Sequence, residues 1–130
     1  MKRFDFINVL FAIFFIFSAA QLSGQVCTAT VSNNWATAFP GYPGSCTSYV
    51  ILTGVTVTIP DNTTITVSNG FITINNGGTL DINNNAILNL TNTPLTINTG
   101  GGLTPQNNSQ ITNGKYYLQW YCRFRNYLSS

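Results

Sequence analysis

The chain has 130 residues, enough for one domain, and only 6% of them are charged, against roughly 25% in an average soluble protein. It has no His and no Glu. Its formal charge of +2 belongs to the ends, with Lys2, Arg3 and Asp5 at one and Lys115, Arg123 and Arg125 at the other. This composition excludes His-based metal sites and His-dependent nucleophilic triads, and the slightly acidic middle offers no basic footprint for nucleic acid.

Residues 1–20 read as a secretory signal peptide. Lys2 and Arg3 form a basic start, Val9 to Phe17 is an unbroken apolar run of nine residues, and Ser18-Ala19-Ala20 supplies small residues before a cut at Gln21. A cut after Gly24 is the alternative. A membrane-spanning helix needs about 20 apolar residues, and Asp5 and Asn8 interrupt this run early. Membrane contact is therefore expected only through the uncleaved segment. Gln25 stands where a lipoprotein would carry its lipidated Cys, so lipidation is not expected.

Residues 21–54 form a cap segment, within which Cys27 to Gly54 does not repeat. It holds Trp35, Phe39, Tyr42 and Tyr49, with Pro40-Gly41-Tyr42-Pro43-Gly44 as a turn-rich bridge. An aromatic segment of this kind is expected to fold over the open end of the repeats that follow. Cys27 and Cys46 share this segment and an oxidising compartment, which predicts a disulfide between them. Cys122 is then the odd one, and Cys27–Cys122 and Cys46–Cys122 remain alternative pairings.

Residues 55–114 carry the repeat. Apolar residues recur in pairs, and the pattern already begins at Tyr49. First members run Tyr49, Val57, Ile65, Ile72, Leu80, Leu88, Leu95, Leu103, Ile111; second members run Ile51, Ile59, Val67, Ile74, Ile82, Leu90, Ile97. Each pair is a short strand with one buried face, and turn formers such as Ser68-Asn69-Gly70 and Asn83-Asn84-Asn85 separate the pairs. Steps of about 7.7 residues, three to a coil of about 23, predict an all-β, three-sided β-solenoid of the right-handed β-helix type. A β-sandwich is the alternative. Nine strands, three to a coil, make about three coils, a stack about 14 Å tall at the usual strand spacing. Asn76, Asn84 and Asn92, eight residues apart, are expected at corners, where Asn tolerates left-handed backbone angles and can form amide ladders.

Residues 115–130 change character. Tyr116, Tyr117, Trp120, Tyr121, Phe124 and Tyr127 crowd in with three cations. The segment is expected either to add a capping strand or to mark the chain as the truncated start of a longer protein.

The export signal, the Cys-containing segment with its Trp, Thr-Val-Thr-Ile-Pro (56–60) and Asn-Gly-Gly-Thr-Leu-Asp-Ile-Asn (76–83) together resemble the opening of large secreted bacterial repeat proteins. Those are similar to adhesins and to pectin-lyase-like right-handed β-helix proteins, some of them exported by type IX secretion. The likeness covers about residues 27 to 104. It implies a fold and a surface or extracellular location rather than a chemistry. Such proteins continue for hundreds of residues and end in a sorting domain, which nothing here matches.

No catalytic residues are expected. Glycoside hydrolysis needs paired carboxylates, and the repeat body has only Asp61 and Asp81, 20 residues apart rather than one coil apart. No cofactor is expected; calcium held by Asx oxygens would have one charged ligand, Asp81, in its stretch. The residues between the inward pairs are Thr58, Thr66, Thr73, Asp81, Asn89, Thr96 and Thr104. Taken every third, they give three outward faces: Thr58-Asp81-Thr104, Thr66-Asn89 and Thr73-Thr96. These are candidate surfaces for glycans or for other copies of the chain. The expectation is a non-catalytic structural or adhesive module of an exported bacterial protein. The alternative is the N-terminal fragment of a polysaccharide-active β-helix lyase or hydrolase. Ice binding is a further reading, weakened because no face is an unbroken Thr rank.

Overall fold

The computed structural model describes residues 24–118. The signal-peptide reading, Cys122 and the tail beyond Leu118 lie outside the described residues. Within them the chain winds through three parallel sheets, as the short alternating strands predict. Sheet A stacks β1 (Gln25–Ala29), β3 (Cys46–Ile51), β6 (Ile72–Ile74), β9 (Pro94–Ile97) and β12 (Lys115–Leu118). Sheet B stacks β2 (Asn33–Asn34), β4 (Thr56–Ile59), β7 (Thr79–Ile82) and β10 (Gly102–Pro105). Sheet C holds β5 (Thr64–Ser68), β8 (Ile87–Thr91) and β11 (Gln110–Thr112).

Register fixes the coil. Thr56 pairs with Thr79 and Thr79 with Gly102; Ile72 pairs with Leu95; Thr64 pairs with Ile87 and Ile87 with Gln110. Each partner is one 23-residue turn away, the separation that also joins the corner side chains. Every inward residue therefore sits on its equivalent in the next coil. Val57, Leu80 and Leu103 form one buried column, Ile59 and Ile82 a second, Ile65 and Leu88 a third, and Ile74 and Ile97 a fourth. Aliphatic burial at every layer is the main drive for closure.

The corners show why the strands stop where they do. Asn62, Asn85 and Asn108 have φ of 55–56° at the turn from sheet B to sheet C. Asn69, Asn92 and Asn113 have φ of 50–58° at the turn from C to A. Gly54, Gly77 and Gly100, at 73–82°, turn A into B. Left-handed angles cost most residues energy, which Asn and Gly avoid. A step of eight moves the chain to a different corner, so only Asn92 of the three expected corner residues occupies a left-handed position. Asn76 and Asn84 each stand one residue before one. The ladder forms at the coil period instead. Nδ2 of Asn85 donates to Oδ1 of Asn62 at 3.3 Å, Asn92 to Asn69 at 3.3 Å and Asn98 to Asn75 at 3.0 Å. Asn76 has a packing role, since its amide lies where a Cβ on Gly100 would fall.

The solenoid has about four turns rather than three, because the non-repeating segment supplies its own coil. β1 pairs in parallel with β3, from Val26 against Ser48 to Ala29 against Ile51, and β2 pairs with β4. Sheet A is five-stranded, a stack of about 19 Å at the usual spacing. The cap replaces one side only. Where sheet C would have its first strand, the chain makes α1 (Trp35–Ala38) and the loop 39–45. Asn34 starts α1, its Oδ1 accepting the Thr37 N–H at 3.0 Å. Trp35, Phe39, Tyr42 and Tyr49 pack with ring centroids 4.8–6.2 Å apart and close the end of the core. The Cys27–Cys46 disulfide, with Cα atoms 5.7 Å apart, ties β1 to the start of β3. Closing a loop across 19 residues stabilises by roughly 3 kcal/mol on the chain-entropy model.

At the other end Lys115–Leu118, the first residues of the aromatic segment, add the fifth strand to sheet A. Lys115 pairs with Pro94, two residues short of the regular coil, because β11 is the shorter strand: Asn113 follows Gln110 by three residues, whereas Asn92 follows the paired Ile87 by five.

Candidate binding faces

Strand pairing brings the outward residues into the columns that the repeat predicts. On sheet B, Thr58 pairs with Asp81 and Asp81 with Thr104. On sheet C, Thr66 pairs with Asn89, and Asn89 pairs in turn with Thr112. On sheet A, Thr73 pairs with Thr96. All of these side chains reach the surface, Thr66 and Thr104 most openly.

The three columns differ in what they leave available. In sheet C the Asn89 Oδ1 is already used, accepting from Thr112 Oγ1 at 3.3 Å and from Asn113 Nδ2 at 2.9 Å. Sheet B carries a second, parallel row, Thr56, Thr79 and Gly102. Its hydroxyls flank one carboxylate, that of Asp81. Asp61 is not part of this face. It lies in the turn after β4, where its Oδ1 accepts the Asn84 N–H at 3.2 Å. The two carboxylates therefore occupy different columns, and one of them secures a corner. Among the described residues no three His, Cys, Asp or Glu side chains gather into a metal-holding group.

Sheet A has a feature that the list of central residues misses. Outward residues also flank the inward pairs, and in β6 the flanking position is Phe71. Its side chain is 37% exposed, and Val26, in the same outward row, is 48% exposed. Ser48 lies between them in that row, and its Oγ accepts the Phe71 N–H at 3.3 Å. Pro94 follows in the next coil, and Thr73 and Thr96 form the adjacent row. A partly exposed aromatic ring thus stands one row away from two outward threonines. The alternation itself carries the signal, since the residue before an inward Ile72 must face out. Its aromatic character separates it from Thr56, Thr64 and Thr79, the residues that flank the inward pairs of β4, β5 and β7.

No family model matches this chain, and no curated protein or solved structure resembles it at a significant level.

Proposed function

We propose that this chain is a non-catalytic adhesive or structural module of an exported bacterial protein, and that its ligands are uncharged glycans held on the outer face of sheet A. The observation that carries the reading is the partly exposed Phe71 ring one row away from the outward Thr73 and Thr96. Sugars offer an apolar C–H face for the ring and hydroxyls for the threonines, and neither contact needs charge. Export rests on Lys2, Arg3, the apolar run to Phe17 and Ser18-Ala19-Ala20. The coil is taken as right-handed, the hand of nearly all parallel crossovers.

The test is calorimetric titration with neutral and acidic polysaccharides. Neutral polymers should bind, and Phe71→Ala should weaken them about tenfold. An aromatic contact contributes roughly 1 kcal/mol beyond its buried area, and about 1.4 kcal/mol is tenfold. Asp81→Asn should leave binding unchanged. Turnover of a polysaccharide that Asp81→Asn abolishes would replace this reading with the enzymatic one.

A further inference from the structure

Asn followed by Gly occurs three times, as Asn69-Gly70, Asn76-Gly77 and Asn113-Gly114, each at a corner of the coil. Asn is a thermally labile side chain. A following Gly makes it more so, because an amide nitrogen with no Cβ beside it reaches the Asn Cγ unhindered. The reaction needs the chain to rotate about the Asn Cα–C bond until that nitrogen meets Cγ. A corner whose backbone is bonded to the neighbouring coil resists that rotation.

The three corners differ in this respect. At the first, the Asn69 N–H donates to the Thr91 carbonyl at 3.0 Å and the Asn69 Oδ1 accepts from Asn92 Nδ2 at 3.3 Å. Gly70 is packed so closely against the Thr47 carbonyl that no Cβ would fit. At the second, the attacking nitrogen is itself engaged. The Gly77 N–H donates to the Gly100 carbonyl at 2.9 Å, and the Gly77 carbonyl accepts the Gly54 N–H at 3.1 Å. The Asn76 amide lies against Gly100. The third corner is the last among the described residues, and neither Asn113 nor Gly114 shares a backbone–backbone hydrogen bond with another described residue. Asn113 is exposed and left-handed at φ 58°, with its Nδ2 donating to Asn89 Oδ1 at 2.9 Å.

We propose that Asn113-Gly114 is a deamidation site, and that its conversion works as a slow, irreversible timer that frees β12 from sheet A. The Gly114 nitrogen gives up its proton and attacks Cγ of Asn113. The side-chain nitrogen leaves with that proton as ammonia, and a cyclic imide remains. Water then opens the ring at either carbonyl. Opening at Cγ leaves an aspartate on an ordinary backbone. Opening at the main-chain carbonyl leaves an isoaspartate, whose chain runs through the side chain and is longer by one methylene. β12 begins directly after this corner, with Lys115 paired to Pro94. The added methylene displaces that register, and the pairing of β12 with β9 is lost. Asn69 and Asn76 keep their amides, so the coils below stay closed.

The test holds the full chain, folded, in mildly alkaline buffer and follows it by peptide mapping that separates aspartate from isoaspartate. Asn113 should convert at least about tenfold faster than Asn69 and Asn76, whose corners must open before they react. In concentrated urea that advantage should vanish. Hydrogen exchange on the isoaspartate form should show the backbone amides of 115–118 exchanging about tenfold faster, while those of β4, β5 and β7 keep their protection. Asn113→Gln, which would need a larger ring, should stay unmodified with β12 protected. Asn113→Asp carries the new charge on an ordinary backbone and should also keep β12 protected. Asn69 or Asn76 converting as fast as Asn113 in the folded chain overturns the proposal. So does an advantage that persists in urea, since the corners would not then set the order. An isoaspartate form with β12 still protected overturns it too, as does an Asn113→Asp variant with β12 released, where charge and not backbone length would be the cause.

Discussion

The Tyr42 hydroxyl and the Thr66 amide, 24 residues apart in sequence, meet at 3.0 Å and form the seam between the irregular first coil and the regular ones. The bond is single and lies at the edge of sheet C. Tyr42→Phe keeps the ring in its aromatic cluster and removes only the acceptor. The expected cost is about 1 kcal/mol, seen as a fall of roughly 4–8 °C in the thermal midpoint for a domain of this size. An unchanged midpoint would mean that water replaces the hydroxyl without loss.

The corner residues predict a graded series. Gly100, at φ 82°, lies under the Asn76 amide. Gly100→Ala therefore combines left-handed strain with a steric clash and should cost about 1–2 kcal/mol or more. Asn85, at φ 56°, gives its Nδ2 to Asn62. Asn85→Ala should cost about 1–2 kcal/mol, and Asn85→Gly less, because Gly keeps the backbone and loses only the ladder. Urea unfolding of the three variants checks the order.

Much of this architecture was legible in the residues, and the gaps have physical causes. The pairs Val57 and Ile59, Leu80 and Ile82 disclose strand, face and coil period together, because a solenoid writes its geometry as a repeat. The outward columns followed from the same arithmetic, and Cys27 with Cys46 followed from their shared segment. Asn76, Asn84 and Asn92 all stand at corner turns, and Asn92 is a rung of the amide ladder; the ladder itself runs at the coil period, because a step of eight tracks one residue per corner whereas stacking occurs every 23 residues. The first coil was read only as a cap, because Gln25–Ala29 and Asn33–Asn34 lack the apolar pairs that marked the rest. The inward positions of β1 hold Cys27 and Ala29 instead of stacked aliphatics, and pairing to β3 and β4 is a long-range fact. Phe71 does not show among the residues between the inward pairs, because it flanks the pair Ile72 and Ile74.

Each core column should respond to truncation as a packed core does. Ile82 is fully buried between Ile59 and the last coil, with no exposure at all. Ile82→Ala should cost about 2–5 kcal/mol. Asp81→Thr, one residue away and facing out, should change stability by no more than about 0.5 kcal/mol. The pair tests inward against outward assignment at adjacent positions, by chemical denaturation of both variants. Equal effects would mean that the alternation does not hold in β7.

The last prediction concerns alkaline pH. Tyr49 is buried in the aromatic cap, and burial first, then the neighbouring Tyr42, raise its phenol above the ordinary value of 10.0. The neutral phenol also donates to the Cys46 carbonyl at 2.8 Å, a bond that a phenolate cannot make. The folded state therefore holds this proton more tightly than the unfolded state does. Its contribution to stability is fully present below pH 10.0 and is lost as the pH rises from there through the folded-state value. The loss can reach about 1.4 kcal/mol per pH unit in that window. Tyr49→Phe should lower stability at neutral pH, where the hydrogen bond is missing, and should flatten the alkaline slope. Urea midpoints of both proteins at about pH 8 and about pH 11 read both effects. A variant with the same alkaline slope as the natural chain would assign the proton to another group.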